Sequence, residues 1–461
     1  MADLIVIGAG PGGYETAVKA AESGMEVIII EKDFLGGVCL KAGCVPTKCL
    51  CHTAETLDTI RDFNPDIELG DADDILAKAI ERKQEVVEKL HSGIEILMKT
   101  PGITLIYGEA RFKDAHTVAV GEEFFSAKNI IIATGSVTKF LPIEGAHVNG
   151  VVTSTEILNM TSFPKNPLPG GKTRLCIIGG GVIGMEFASI YSSFGIEVEV
   201  IEFLKEILPA FDKDLAKRLR TSMKKRGVNI HTGAAAKKIT EAGAVDGNPR
   251  MTVTYEEKCT EQTIDCDLLL MAVGRAANVE AINLDDIGVE YTSKGIKVDS
   301  NMQTNIPGVY AVGDVNGIIQ LAHAATFQGL CALDHILNKG EEYKESLKTI
   351  PAVVFTVPEF ASVGLTEEEV KDSGVEYKSQ KSFYRSNCKS LAIGEDEGIV
   401  KILADNDGKI LGAHILGTQA SNLIHEVAVM MRKGGTVRDI AHTVHAHPSL
   451  SELLFEATRH F

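Results

Sequence analysis

Positive charge is in short supply in this chain. Its 461 residues include 46 Lys and Arg against 63 Asp and Glu, a formal net charge of -17. So acidic a surface repels phosphate backbones and anionic membranes, so nucleic acid and membrane are excluded as partners and basic segments are attracted. Any bound nucleotide has to be held by local geometry. Long apolar runs are missing too: no stretch reaches the roughly 18 residues of a membrane span, and Met1-Ala2-Asp3 leads into a short apolar run with no basic segment. The expected compartment is the cytoplasm. Proline is scarce, 14 residues against 44 glycines, which fits tight turns and close backbone approaches to ligands rather than a linker protein. The nine cysteines are odd in number and scattered, so most are expected to be reduced. Low-complexity segments and charge blocks are absent, and 44% hydrophobic with 24% charged residues is ordinary for a globular chain. The length predicts about three domains.

One pattern is written twice, at 4–31 and again at 175–202. The first copy is an apolar run from Leu4 to Ile7, then Gly8-Ala9-Gly10-Pro11-Gly12-Gly13, a helical stretch to about Ser23, and Val27 to Ile30 ending in Glu31. The second runs from Leu175 to Ile178, through Gly179-Gly180-Gly181-Val182-Ile183-Gly184 and a helix to about Phe194, and ends Val198-Glu199-Val200-Ile201-Glu202. Strand, glycine turn, helix, strand and acid form the context that gives a glycine fingerprint its meaning, so two dinucleotides are implied. Gly8, Gly10 and Gly13, like Gly179, Gly181 and Gly184, let a pyrophosphate approach the free N–H groups of a helix N-terminus. Glu31 and Glu202 then accept from adenosine ribose hydroxyls. Glu202 would face a 2′-phosphate, and Phe203-Leu204-Lys205-Glu206 supplies no arginine, so NAD is favoured over NADP.

Between the copies, the spacing of Leu76, Ile80, Val87, Leu90, Ile94 and Leu97 predicts a long amphipathic helix over 73–99. Strands are expected near 103–107 and 117–120. The segment Ile130-Ile131-Ile132-Ala133-Thr134-Gly135 has a sister in Leu268 through Gly274 and Arg275, so the repetition extends to whole domains. Beyond about 350, Val/Ile alternation with glycine turns and a helix near 420–433 read as a separate domain. The predicted fold class is α/β: two Rossmann-like dinucleotide-binding domains plus a C-terminal α+β domain.

Cys39 and Cys44, in Gly36 through Lys48, stand at the start of an expected helix. They read as buried thiols, as half of a metal site, or as a redox pair. Zinc lacks a second ligand pair at suitable spacing, so no metal is expected. The redox pair fits better, because helix N–H groups and the nearby Lys41 and Lys48 favour a thiolate. Gly313-Asp314 closes an apolar strand, where a carboxylate could meet flavin hydroxyls. His447 and Glu452 are too far apart for one face of a straight helix, but a turn at Pro448 brings them within reach; solvated histidines are the alternative.

Together these residues resemble the pyridine nucleotide-disulfide oxidoreductases. The resemblance covers essentially the full length and rests on five motifs in the family's order: the first fingerprint, the cysteine pair through Lys48, the second fingerprint followed by Glu186, Gly313-Asp314, and His445-Ala446-His447-Pro448 through Glu452. The His-Ala-His-Pro form and Glu202 are similar to the dihydrolipoamide-oxidising branch rather than to glutathione reductases. Mercuric reductases end in a vicinal cysteine pair, which Arg459-His460-Phe461 does not provide. The resemblance implies an FAD-binding domain over 1–147, an NAD-binding domain over 148–276, a central segment over 277–348 returning to the first, and an interface domain over 349–461. It implies that Cys39 is the interchange thiol and Cys44 the flavin-contacting one. His447 is then the general base and Glu452 its orienter, both reaching the site of a partner subunit, so the enzyme is a homodimer. Lys48 and Glu186 pair beside the flavin N5, with Gly135, Gly274 and Asp314 also in the cofactor sites. Electrons run from dihydrolipoamide to the Cys39–Cys44 disulfide, to FAD, and to NAD. The lipoyl group comes on a partner: a lipoyl-bearing protein or the acyltransferase core of a 2-oxo-acid dehydrogenase or glycine cleavage complex.

Val38, Lys41 and Val45-Pro46-Thr47 depart from the family pattern. Lys41 matters most, since a cation between the cysteines could shift thiolate stability or favour an anionic substrate. It motivates a second reading, a NAD(P)H-dependent reductase of another small disulfide or electron acceptor. A third, a flavin- and NAD-binding sensor, is opposed by the intact Cys39/Cys44 and His447/Glu452 pairs. Cys49 and Cys51 read as packed helix thiols rather than an auxiliary redox pair.

Overall fold

The unbroken apolar runs become the central strands of two parallel sheets. A computed structural model describes residues 1–67, 69–164, 172–245, 248–340 and 342–461. The chain forms two compact units, one from Met1–Cys49, Glu81–Lys139 and Arg275–Lys348, the other from Leu50–Ile80, Phe140–Gly274 and Thr349–Phe461.

In the first unit the strand Ala2–Ile7 lies between Val27–Glu31 and Glu123–Ile132, all parallel, with Ile103–Tyr107 and Val309–Ala311 extending the sheet on its two sides. Successive side chains go to opposite faces. Leu4 and Val6 share one core with Ala17 and Ala20 of the helix Pro11–Glu22, while Ile5 and Ile7 share another with Phe112 and Val118. Burial on both faces is why these strands are continuously apolar rather than alternating. Antiparallel strands Ala110–Asp114 and Thr117–Val120 continue from Glu123–Ile132. The helix expected over 73–99 runs Ala72–Leu97.

The second unit repeats the plan. Val228–Thr232, Glu197–Glu202, Arg174–Ile178, Leu268–Met271 and Val151–Val152 form a parallel sheet in that order. The helix Val182–Ser193 follows the glycine turn and is almost wholly buried. An antiparallel sheet of Ala234–Val245, Asn248–Glu257 and Thr260–Cys266 is inserted before the strand Leu268–Met271. The C-terminal segment supplies five antiparallel strands in the order Ala352–Val354, Phe360–Gly364, Ile410–Leu416, Ile399–Asp405, Tyr377–Phe383. Val400, Ile402 and Ala413 pack there against Val427 of the helix Ala420–Lys433 and Leu454 of the helix Glu452–Thr458, the α+β texture read from the alternation. Among the described residues, no helix is long and apolar enough to cross a membrane.

Candidate active site

Each glycine turn divides its labour between contact and clearance. A Cβ on Gly13 would stand 1.9 Å from the Gly8 carbonyl oxygen, and one on Gly184 1.9 Å from that of Gly179. Those glycines let helix and strand touch. A Cβ on Gly10 or Gly181 would meet nothing within 4 Å, so the backbone there faces open space. Gly10 and Gly181 are also the N-caps of their helices and have no side-chain hydrogen bond, so the first N–H groups point at that space. Such a cradle fits a pyrophosphate. The acids do more than the sequence suggests. Glu31 accepts from the N–H groups of Ala9 at 2.7 Å and Asp33 at 2.9 Å, and Glu202 from those of Gly180 and Leu204, both at 2.6 Å. Each carboxylate braces its glycine turn, and its remaining lone pairs fit a ribose diol.

Asp314 lies in the turn Gly313–Asn316 that follows Val309–Ala311, and Ser136 Oγ donates to its Oδ2 at 2.5 Å. The two sister segments meet here. Ser136–Thr138 pairs antiparallel with Arg275–Ala277, and Arg275 donates through Nε to Ser136 Oγ at 2.7 Å and through Nη2 to the Ser136 carbonyl at 2.6 Å. Asn278 ties the strands further, its N–H bonding the Gly135 carbonyl at 3.0 Å. The sequence reading named Gly135, Gly274 and Asp314 as site residues but gave no role to Ser136 or to Arg275. The available signal was that each directly follows the glycine ending one of the sister segments.

The cysteines are brought together by a break in the helix. Cys39 lies in Gly37–Ala42 and Cys44 opens Cys44–Phe63, with Gly43 between them at φ -145 and ψ -114. Five residues along one continuous helix would turn the side chains about 140° apart. The break lets the Cys39 side chain hydrogen-bond that of Cys44. A Cβ on Gly43 would stand 2.8 Å from the Val38 carbonyl oxygen, which makes this a glycine position. The hydrogen bond that the Cys39 thiol donates to Cys44, then burial and the Cys44 charge, push the Cys39 pKa up, while Lys48 pulls it down. The pair is thus built to lose its first proton from one sulfur.

Lys41 does not act as its position suggests. Its Nζ bonds both Asp33 carboxylate oxygens at 2.7 Å and sits 5.7 Å from the Phe34 ring centroid, so its charge is already matched on the surface. Cys49 and Cys51 point to different surroundings. Burial pushes the Cys49 thiol up, against Arg82 and Lys83, whereas Cys51 donates to the Phe355 carbonyl at 3.4 Å.

In the second unit His447 Nδ1 lies 2.9 Å from Glu452 Oε1, and Glu452 Oε2 accepts the Ser449 N–H at 2.8 Å. A carboxylate only accepts, so Nδ1 carries the hydrogen and Nε2 the lone pair. The Ser449 N–H and the His447 bond lower the Glu452 pKa. His447 is 66% exposed, whereas His445 is 7% exposed and has both ring nitrogens engaged, by Glu426 and the Thr443 carbonyl. Of the two histidines, His447 can offer a base. Glu186 is buried in the helix Val182–Ser193, with Oε1 accepting the Phe355 N–H at 2.9 Å.

Two dinucleotide cradles and a facing pair of thiols define a flavin- and nicotinamide-dependent disulfide oxidoreductase. The chain belongs to the pyridine nucleotide-disulphide oxidoreductase family, whose sequence model matches residues 2–329, with the dimerisation domain of that family matching 350–458. It is an enzyme whose cofactors are FAD and NAD. Similar curated proteins include the dihydrolipoyl dehydrogenase of Bacillus subtilis, 39% identical over 99% of this chain and 95% of that protein. That of Geobacillus stearothermophilus is 38% identical over the same shares. Among solved structures, the HOCl-induced flavoprotein disulfide reductase RclA from Escherichia coli aligns with a TM-score of 0.86 at 28% identity, covering 99% of both chains.

Proposed function

We propose that the enzyme is a dihydrolipoyl dehydrogenase, oxidising protein-bound dihydrolipoamide to lipoamide and reducing NAD to NADH. The observation that carries this reading is the facing Cys39/Cys44 pair in a chain 39% identical, over nearly its whole length, to a dihydrolipoyl dehydrogenase. With the pair oxidised, a substrate thiolate attacks Cys39 Sγ and the Cys39–Cys44 bond breaks, releasing Cys44 as thiolate. His447 Nε2 then takes the proton of the second substrate thiol, whose sulfur closes the lipoamide disulfide and releases Cys39. Glu452 holds the imidazole for this and balances the charge it gains. FAD, on Gly8, Gly10, Gly13, Glu31, Gly135 and Asp314, and NAD, on Gly179, Gly181, Gly184, Glu202 and Gly274, supply the two-electron acceptors that return the dithiol to disulfide. Lys48 and Glu186 are assigned to the flavin surroundings.

The same reading divides the chain at 1–147, 148–276, 277–348 and 349–461, and makes it a homodimer in which His447 and Glu452 serve the partner subunit's cysteines. The matched dimerisation domain supports this. The enzyme works in the cytoplasm, on a lipoyl-bearing protein or acyltransferase core whose basic segment meets the acidic surface; that docking weakens with added salt. The test is steady-state turnover of the purified holoenzyme with dihydrolipoamide and either NAD or NADP. Turnover with a preference for NAD is expected; no turnover, or a preference for glutathione over lipoamide in reverse, overturns the reading.

A further inference from the structure

We propose that His445, held by Glu426, is a positioning residue for the base: the pair pins the irregular segment 443–449 to the helix Ala420–Lys433 and so keeps His447 aligned on Glu452. This deepens the reading above, in which His447 takes the proton of a substrate thiol, and rests on it. His447 stands on a stretch with no helix or strand of its own, between the helices Val437–Ala441 and Glu452–Thr458. Backbone of that kind has no ladder of hydrogen bonds to fix a side chain. The fixing has to come from side chains.

Exposure along the stretch singles out one residue. Val444 is 96% exposed and the His447 side chain 66%, yet the His445 side chain between them is only 7% exposed. Its ring centroid lies 6.0 Å from that of Phe455, on the helix Glu452–Thr458. Nδ1 lies 2.9 Å from the Thr443 carbonyl oxygen, and Nε2 lies 2.9 Å from Glu426 Oε1. A carbonyl and a carboxylate only accept, so both ring nitrogens donate, and the charge this puts on the ring faces the Glu426 carboxylate. No lone pair is left for chemistry; the ring is an anchor. The near end of the stretch is thus tied back to its own helix by Thr443, whose Oγ1 donates to the Asp439 carbonyl at 2.8 Å, and across to Ala420–Lys433 by His445. At the far end Asn387 Nδ2 donates to the Ser449 carbonyl at 2.9 Å, and the Ser449 N–H to Glu452 Oε2 at 2.8 Å. His447 stands between the two anchorages, with Nδ1 on Glu452 Oε1.

The experiment compares purified wild-type holoenzyme with E426A, E426Q and H445F. Amide hydrogen exchange of the peptide spanning 443–452, read by mass spectrometry, reports the pinning, and turnover reports its consequence. E426A and H445F are expected to exchange there about tenfold faster than wild type. Their kcat with dihydrolipoamide is expected to fall about tenfold at a KM within about twofold of wild type, as befits a misaligned base rather than a lost binding contact. E426Q keeps an acceptor oxygen for the Nε2 hydrogen and is expected to recover most of both. Flavin content and oxidation of NADH by an artificial one-electron acceptor are expected to match wild type in all three. An unchanged peptide, or an unchanged kcat where the peptide has loosened, overturns the proposal. So does E426Q as slow as E426A, or a loss of artificial-acceptor activity as large as the loss of kcat. If E426A does not fold by circular dichroism, H445F, which keeps a ring beside Phe455, decides by the same readings. Absence of dihydrolipoamide turnover in wild type would sink the proposed activity, while the exchange comparison would still decide the pinning.

Discussion

His447 has one ring nitrogen committed and one to offer, and this division of roles is the chemical centre of the site. Replacing it by Gln keeps much of the shape and removes the base, so H447Q is expected to lower kcat with dihydrolipoamide by about a hundredfold or more. Oxidation of NADH by an artificial one-electron acceptor, which needs no thiol base, is expected to continue in the same variant. An equal fall in both activities would mean that the variant is damaged elsewhere. At Lys41 the expectation is the reverse: K41A removes an exposed pair with Asp33 and leaves kcat/KM for dihydrolipoamide within about twofold of wild type. A large change there would revive the reading in which Lys41 selects the substrate. Sequence alone could not place that charge. Lys41 stands between the cysteines in the chain, but the carboxylate that claims it precedes it by two turns' worth of residues and meets it only in the fold.

At the scale of elements, the glycine turns are where one methyl group decides a cofactor. G13A puts a Cβ 1.9 Å from the Gly8 carbonyl oxygen and G184A makes the same clash with Gly179. G13A is expected to purify with less than half the wild-type flavin, measured by its visible absorbance. G184A is expected to stay yellow and to raise KM for NAD; normal NAD kinetics in G184A would detach that turn from NAD binding. These elements were legible because apolar runs report burial: Leu4-Ile5-Val6-Ile7 is buried on both faces, and so are the turn-bounded Val/Ile segments after 350 such as Ile399–Asp405. The meeting of Cys39 and Cys44 was legible as chemistry but not as geometry. It depends on a break at Gly43, which a pattern of apolar residues does not register. Ser136 and Arg275 escaped for a related reason, since a cross-strand pair far apart in sequence leaves no local spacing to read.

At the scale of the whole molecule, the second unit is tied internally by a buried cation. Lys401, 1% exposed, bonds Asp212 at 2.7 Å and Glu367 at 2.6 Å, and Asp212 also caps the helix Lys213–Lys225. K401M leaves the buried Asp212 without its cation, while Glu367 keeps Lys371 at 3.3 Å, and is expected to destabilise the protein by about 3–5 kcal/mol in urea unfolding at neutral pH. Burial alone would raise the Glu367 pKa, but hydrogen bonds from Lys401 and Tyr377 hold it down to about 2. A depressed carboxylate stabilises the fold fully above its ordinary value of 4.5 and loses that contribution as pH falls towards 2. The gap between wild type and K401M is therefore expected to narrow over that window; a gap independent of pH would contradict the assignment. The central claim concerns electrons crossing the molecule by way of two sulfurs. Its most direct measurement is a single-turnover trap: oxidised holoenzyme receives one equivalent of dihydrolipoamide without NAD, is quenched with an alkylating agent, and its cysteines are mapped by mass spectrometry. Alkylation of Cys39 and Cys44 that appears only after the substrate is added is the expected result. Labelling of both before the substrate arrives, or of neither after it, would contradict the account.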